Sequence, residues 1–390
     1  MTTNMDYDQP TFSQSHVFEN MRLRRIVKEN HSSEITQVGF FFNTKNFDAP
    51  ISFASNKTFD KRGAVQRAES DTSNVLATVG GCQLNVYDNE HCGDHLDIMS
   101  NYDLGQLDPD NDENYYRRSH ELVTFCWLYR FGDAYLVTAG GDAEIHVLSL
   151  AKSEEEQSLK GHTKPVLYLE AHPKNDNNIV SVSKDGTVRL WDIDKGKCLV
   201  IFECDATFAT FDPLGEIIIT GNARGEFRKW IIPTIEAEEP LTMPKSQSTL
   251  LRKFNGDNYI DSIRFTNNNS VLSKSSNGKV EYWNLDTEKT IRTFRVKTGE
   301  STSRFDVSLD NQYLAVGSTR GSIFIYHIES GELITELEHR RATKAIKCCA
   351  FSRDCRQMIA AGADGFIMRY DYVSDDVLKE WEEWKLRKNE

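Results

Sequence analysis

The sequence lacks the marks of most enzyme classes. No glycine-rich phosphate loop follows a strand-like run, no G-x-S-x-G elbow occurs, and no two cysteines stand at C-x-x-C spacing. The chemistries that need those patterns are not expected, and neither is a cofactor. His91, Cys92 and His95 fall close together in HCGDH. A structural zinc wants four ligands, and no second ligand pair stands at metal-site spacing, so no metal is expected there. No apolar run approaches the ~20 residues that span a bilayer, so no membrane partner is expected. The opening MTTNMDYDQP has no hydrophobic core and does not read as a secretory signal. Eight cysteines, mainly in strand-like contexts such as Cys82, Cys126, Cys198 and Cys348, suit a reduced intracellular protein. Positive charge is also short: 46 Lys and Arg face 59 Asp and Glu, a formal net charge of −13. That disfavours general nucleic-acid binding and suits a partner with a basic tail, although solvated acidic loops (Asp108 to Glu113, Glu154 to Glu156, Glu236 to Glu239) explain it equally well.

What is present is a repeat. The stretch GHTKPVLYLEAHPKNDNNIVSVSKDGTVRLWDI runs from Gly161 to Ile193. Val166 to Glu170 alternates as a strand does, Ile179 to Ser183 is a second strand, and Thr187 to Asp192 is a third. Asp185-Gly186 between them predicts a two-residue type I′ hairpin turn. Its ending, a glycine five residues before an aromatic, recurs at Gly225/Trp230, Gly278/Trp283, Gly321/Tyr326 and Gly365/Tyr370, with weaker copies ending at Tyr87 and Leu148. The endings lie 61, 43, 39, 53, 43 and 44 residues apart. A period of about 40–45 is that of a four-stranded propeller blade. The reading is all-β, a seven-bladed β-propeller, with insertions in the two long intervals. Beyond Tyr370 only the third strand of the last blade can be completed, so the Arg22 to Lys28 segment (RLRRIVK) is expected to supply the fourth and close the ring.

The units resemble WD repeats. In that family His162, Ser183, Asp185 and Trp191 match a buried hydrogen-bonded network, which makes His162 structural rather than catalytic. Several segments resemble one subfamily, the EED/ESC proteins of Polycomb repressive complex 2: DNDENYY (Asp110 to Tyr116), TFCWLY (Thr124 to Tyr129), DPLGEIIITGNARGEFRKW, and Leu337 to Asp371 with Phe-Ser-Arg-Asp at Phe351 to Asp354. The likeness spans roughly residues 28–371. It implies a nuclear, non-catalytic scaffold subunit of a histone H3 lysine-27 methyltransferase complex, with the SET-domain catalytic subunit and a histone tail as partners. It implies no sequence-specific nucleic-acid binding. In that subfamily one propeller face holds trimethyl-lysine in an aromatic cage by cation–π attraction. Aligned on that pattern, this chain has Thr36, Ser301 and Thr302 where cage aromatics belong, and only Tyr116 remains. A shifted alignment puts Val123 in its place. Methyl-lysine reading is therefore expected to be lost or weakened. The competing reading is a generic WD adaptor such as a ubiquitin-ligase receptor, but Trp191-Asp192 is followed by Ile193-Asp194, not by the x-Arg of that class.

The organisation expected is a disordered tail (1–15), a propeller (16–373) with an insertion at 43–73, and a C-terminal amphipathic helix (374–390). In that helix Val377, Leu378, Trp381 and Trp384 share a face. It either packs on its own propeller or docks a partner through Trp381 and Trp384.

Overall fold

The computed structural model describes residues 14–28, 34–41, 75–91, 95–105, 120–234, 239–254, 259–296 and 303–389. Most of the expected 1–15 tail and the whole 43–73 insertion lie outside them, as do Cys92, Tyr116, Ser301 and Thr302. The described strands form seven sheets, antiparallel but for one added edge strand in the third, arranged as a ring of blades. Blade one runs from Gln37–Phe40 outward through Val75–Gly80 and Gln83–His91 to His95–Asp103, and blade two from Leu122–Arg130 to Glu154–Leu159. The innermost strands of blades three to seven are Val166–Ala171, Phe208–Phe211, Ile260–Asn267, Asp306–Val307 and Ile346–Phe351.

The repeat works because its aromatic endings fill the gaps between blades. Trp191, Trp230 and Trp283 are fully buried. Trp230 meets Phe202 of blade three edge-on at 5.3 Å, and Trp283 meets Phe227 of blade four at 5.3 Å. Each such ring removes roughly 150–250 Å² from water, the main favourable term holding neighbouring blades together. Adjacent Cys348 and Cys349 face opposite sides of one strand. The first joins the core between blades seven and one, and the second the core between six and seven.

The ring closes as the sequence implied. Met21–Lys28 pairs antiparallel with Phe366–Tyr372 and becomes the outer strand of blade seven. A short helix, α1 (Gln14–Glu19), precedes it and drives Phe18 between Tyr313 at 4.7 Å and Phe351 at 5.6 Å. A second helix, α2 (Asp375–Asn389), follows the last strand. The ends are then tied to each other: Val373 N–H donates to Asn20 O (3.1 Å), and the Asn20 amide donates to the Asp375 carboxylate (2.7 Å).

Three local expectations are corrected. The Asp185-Gly186 turn is not type I′: only Gly186 has positive φ (+84°), and its N–H bonds back to Ser183 O at 3.4 Å. This is a type I turn followed by a left-handed glycine, and the loop is one residue too long for the primed turn. Glu154 to Glu156 is not a loop but the exposed start of blade two's outer strand, where charge protects a sheet edge. Blade three has five strands, because the insertion before Trp283 lays Leu241–Met243 parallel to its outer strand Lys197–Glu203.

Blade two carries a pH-sensitive clasp. His146 lies 2.8 Å from Asp142 through Nε2 and 2.9 Å from Glu155 through Nδ1. Burial opposes its charge, but the two carboxylates outweigh burial and raise its pKa from 6.5 to about 9. The folded protein therefore keeps a proton the unfolded chain releases. That stability is complete below about pH 6.5 and is lost as the pH rises through about 9; at about 1.4 kcal/mol per pH unit it amounts to about 3 kcal/mol. Urea titrations at pH 7 and pH 10 should show this loss in the parent protein and its absence in His146→Gln.

Candidate functional site

Two arrangements carry the chemistry, and the first is the blade-three network. His162 Nδ1 meets Asp185 at 2.8 Å, and its Nε2 meets Ser181 Oγ at 2.7 Å. Trp191 Nε1–H donates to the same Ser181 hydroxyl at 2.8 Å. Ser183, the serine expected in that position, points the same way one strand period later. It belongs instead to the turn: its hydroxyl donates to Lys164 O at 2.8 Å and accepts from Asp185 N–H at 3.1 Å. The reason is reach. The serine ten residues before the tryptophan lies on the neighbouring strand, diagonally across from it (Ile179 is its direct partner), and Thr220–Trp230 (3.1 Å) and Ser273–Trp283 (3.0 Å) repeat that spacing. Burial lowers the His162 pKa against the pull of Asp185, so the ring is a neutral bridge suited to structure. Ser181→Ala should cost about 1–3 kcal/mol, since it strands two buried partners, and Ser183→Ala about 1 kcal/mol. Chemical denaturation of both variants checks this order, and the reverse order would contradict it.

The second arrangement is the central channel, about 540 Å³, lined by the innermost strands. A polar web borders it at Gln37 and Arg304. Thr36 Oγ1 donates to Val79 O (3.2 Å) and Val123 O (3.0 Å). Gln37 donates to Phe125 O (2.8 Å) and accepts from Thr124 Oγ1 (3.0 Å). Arg304 enters this web from blade six. Its guanidinium bonds Gln37 Oε1, and lies 3.4 Å from both Val123 O and Leu167 O. The same group sits over the Tyr168 ring at 5.1 Å. Four blades are thereby tied at one point. Deeper in, Glu170 accepts from Thr210 Oγ1 (2.9 Å) and Phe211 N–H (3.0 Å), and burial raises its pKa. Beside the web, fully buried Lys274 bonds Asp261 at 2.5 Å, and Asp261 also receives Ser303 N–H at 3.4 Å, next in the chain to Arg304.

Of the residues singled out from the sequence, Thr36 lies in the web and puts a hydroxyl, not a ring, at its position. Tyr116, Ser301 and Thr302 lie outside the described residues. Val123 contributes its carbonyl to both Thr36 and Arg304. His91 and His95 face each other in register, and among the described residues no group of three metal-ligating side chains occurs. Trp381 is half-buried with the Arg24 guanidinium 5.3 Å from its ring centre, while Trp384 is 57% exposed further along α2. Reading the sequence missed Ser181, Gln37, Thr124, Tyr168 and Arg304. The ten-residue spacing to tryptophan could have revealed Ser181; nothing local marks Arg304.

The WD domain, G-beta repeat family matches residues 153–192 and 331–371. The chain is 25% identical over 350 residues to Polycomb protein esc of Musca domestica, covering 79% of each chain. It is 25% identical over 331 residues to Polycomb group protein FIE2 of Zea mays, covering 77% of this chain and 84% of that one. It is also 24% identical over 236 residues to autophagy-related protein 16 of Arabidopsis thaliana, covering 60% of this chain and 44% of that one.

Proposed function

We propose that this divergent WD-repeat protein of the ESC and FIE type is the non-catalytic scaffold of a histone H3 lysine-27 methyltransferase complex. It holds the SET-domain subunit in the nucleus and supports repression, with methyl-lysine reading lost or weakened. The likeness to Polycomb proteins over most of the chain supports the scaffold part. The single observation that carries the loss of reading is what stands at position 36 and beside it. Where the subfamily pattern puts a cage aromatic, Thr36 shares the Val123 carbonyl with the Arg304 guanidinium. A quaternary ammonium entering there would lose a ring face and meet a fixed like charge, which raises its energy at low effective dielectric. The exposed end of α2, with Trp384 and Leu386, supports docking of a partner subunit there, while Trp381 serves the protein's own closing strand.

Calorimetric titration with histone H3 peptides tests the reading claim. The trimethylated and unmodified lysine-27 peptides should bind within about twofold of each other. A preference of tenfold or more for the trimethylated form, about 1.4 kcal/mol, would overturn it.

A further inference from the structure

Although the chain has a formal net charge of −13, one part of its rim has the opposite sign. At the junction of blades six and seven, Leu23, Arg24, Arg25 and Ile26 of the closing strand face His339, Arg340 and Arg341 of the interblade loop. They enclose a cleft of about 440 Å³. Two backbone features build it. The closing strand pairs Leu23 with Tyr370 and Arg25 with Arg369, which leaves Arg24 as a bulge. A flat strand would send consecutive side chains to opposite faces, and the bulge brings two successive arginines to one cleft. The loop is pinned as well. Ala342 N–H donates to His339 O (2.8 Å) and Arg341 N–H to His339 Nδ1 (3.2 Å), while Gly321 packs so closely that a Cβ there would lie 2.0 Å from Ala342 O.

The cations are left for something else. Arg24 rests on Trp381, Arg340 and Arg341 are exposed, and among the described residues none of the three is ion-paired to a carboxylate. Lys28 and Lys344 are exposed on the same two segments; the acidic residues nearest in the chain are Glu336 and Glu338 before the loop and Glu380 and Glu382 on either side of Trp381 in α2.

We propose that this cleft binds the phosphodiester backbone of nucleic acid without reading its sequence. Guanidinium groups match phosphate oxygens in a planar, two-bond geometry. A bound acidic peptide would need apolar anchor pockets as well as charge, and the cleft's aliphatic lining is limited to the half-buried Leu23 and Ile26. The proposal stands on local charge and goes beyond the scaffold role, whichever complex the propeller serves.

The test is fluorescence anisotropy of the full-length chain with a labelled mixed-sequence DNA duplex, titrated across salt. Arg24, Arg340 and Arg341 on phosphate give an expected log–log salt slope of about −3. Arg340→Glu/Arg341→Glu, which leaves the Arg24–Trp381 contact in place, should weaken binding at least about tenfold with an unchanged melting temperature; exposed Lys174→Glu in blade three should not weaken it. Three results would overturn the proposal: no duplex binding at low salt, a double variant that binds as tightly as the parent, or displacement of the duplex by far less poly-glutamate than competitor DNA. The last would assign the cleft to an acidic protein.

Discussion

Deleting the chain through Lys28 should yield a protein that does not close its ring and does not accumulate as a folded monomer. The segment supplies the outer strand of blade seven and three buried side chains, Val17, Phe18 and Met21. At about 1.5–3 kcal/mol for each buried apolar side chain, its loss removes about 5–9 kcal/mol before any strand pairing is counted. A domain of this kind has about 5–15 kcal/mol in total, so the deletion competes with the whole stability. It also bares the backbone of Phe366–Tyr372 as a free sheet edge, an invitation to aggregate. Phe18→Ala isolates the plug from the strand. It should cost about 3–5 kcal/mol, because Phe18 is fully buried between Tyr313 and Phe351. Circular dichroism and size-exclusion chromatography check the deletion, and urea denaturation checks the point variant. A truncated chain that melts cooperatively as a monomer near the parent temperature would show that the ring does not depend on its N-terminal strand.

Lys274→Met should destabilise the protein by about 3–5 kcal/mol, although it replaces a polar side chain with an apolar one of similar length. Burial raises the Asp261 pKa, and the Lys274 ammonium opposes that rise. Without Lys274 the carboxyl must stay charged and unpaired or take up a proton, and either route costs free energy. Lys274→Met/Asp261→Asn should regain more than half of the loss, since no uncompensated charge remains. If the double variant is as unstable as the single one, the cost is packing and not charge. The effect should also reach the polar web, because Asp261 holds Ser303 beside Arg304. Loosening that anchor frees the guanidinium from the web around Gln37.

The features legible in the sequence are those a blade must carry within itself. A glycine at the turn and an aromatic five residues later are both needed to make one hairpin and fill one gap between sheets, so their spacing counted the blades. The closing strand was legible by subtraction, because the last blade runs out of chain one strand short. What escaped depends on partners far apart in sequence. Arg304 bonds carbonyls of blades two and three from blade six, and no local pattern encodes such a meeting. Leu241–Met243 falls in one of the two long intervals, and nothing in its three residues marks a strand until the edge of blade three is there to receive it. Ser181 and Ser183 both alternate inward, and only the position of the facing tryptophan decides which of them bridges His162. Position 36 mixes both kinds of information: the sequence shows a threonine there, and the structure supplies its partners, the Val79 and Val123 carbonyls.

The central claim is membership of a methyltransferase complex, and affinity purification of the tagged full-length protein followed by mass spectrometry tests it most directly. A SET-domain methyltransferase subunit recovered in amounts comparable to the bait, and retained through high-salt washing, is the result expected. Recovery of a cullin adaptor in its place, with no SET-domain protein, would contradict the account.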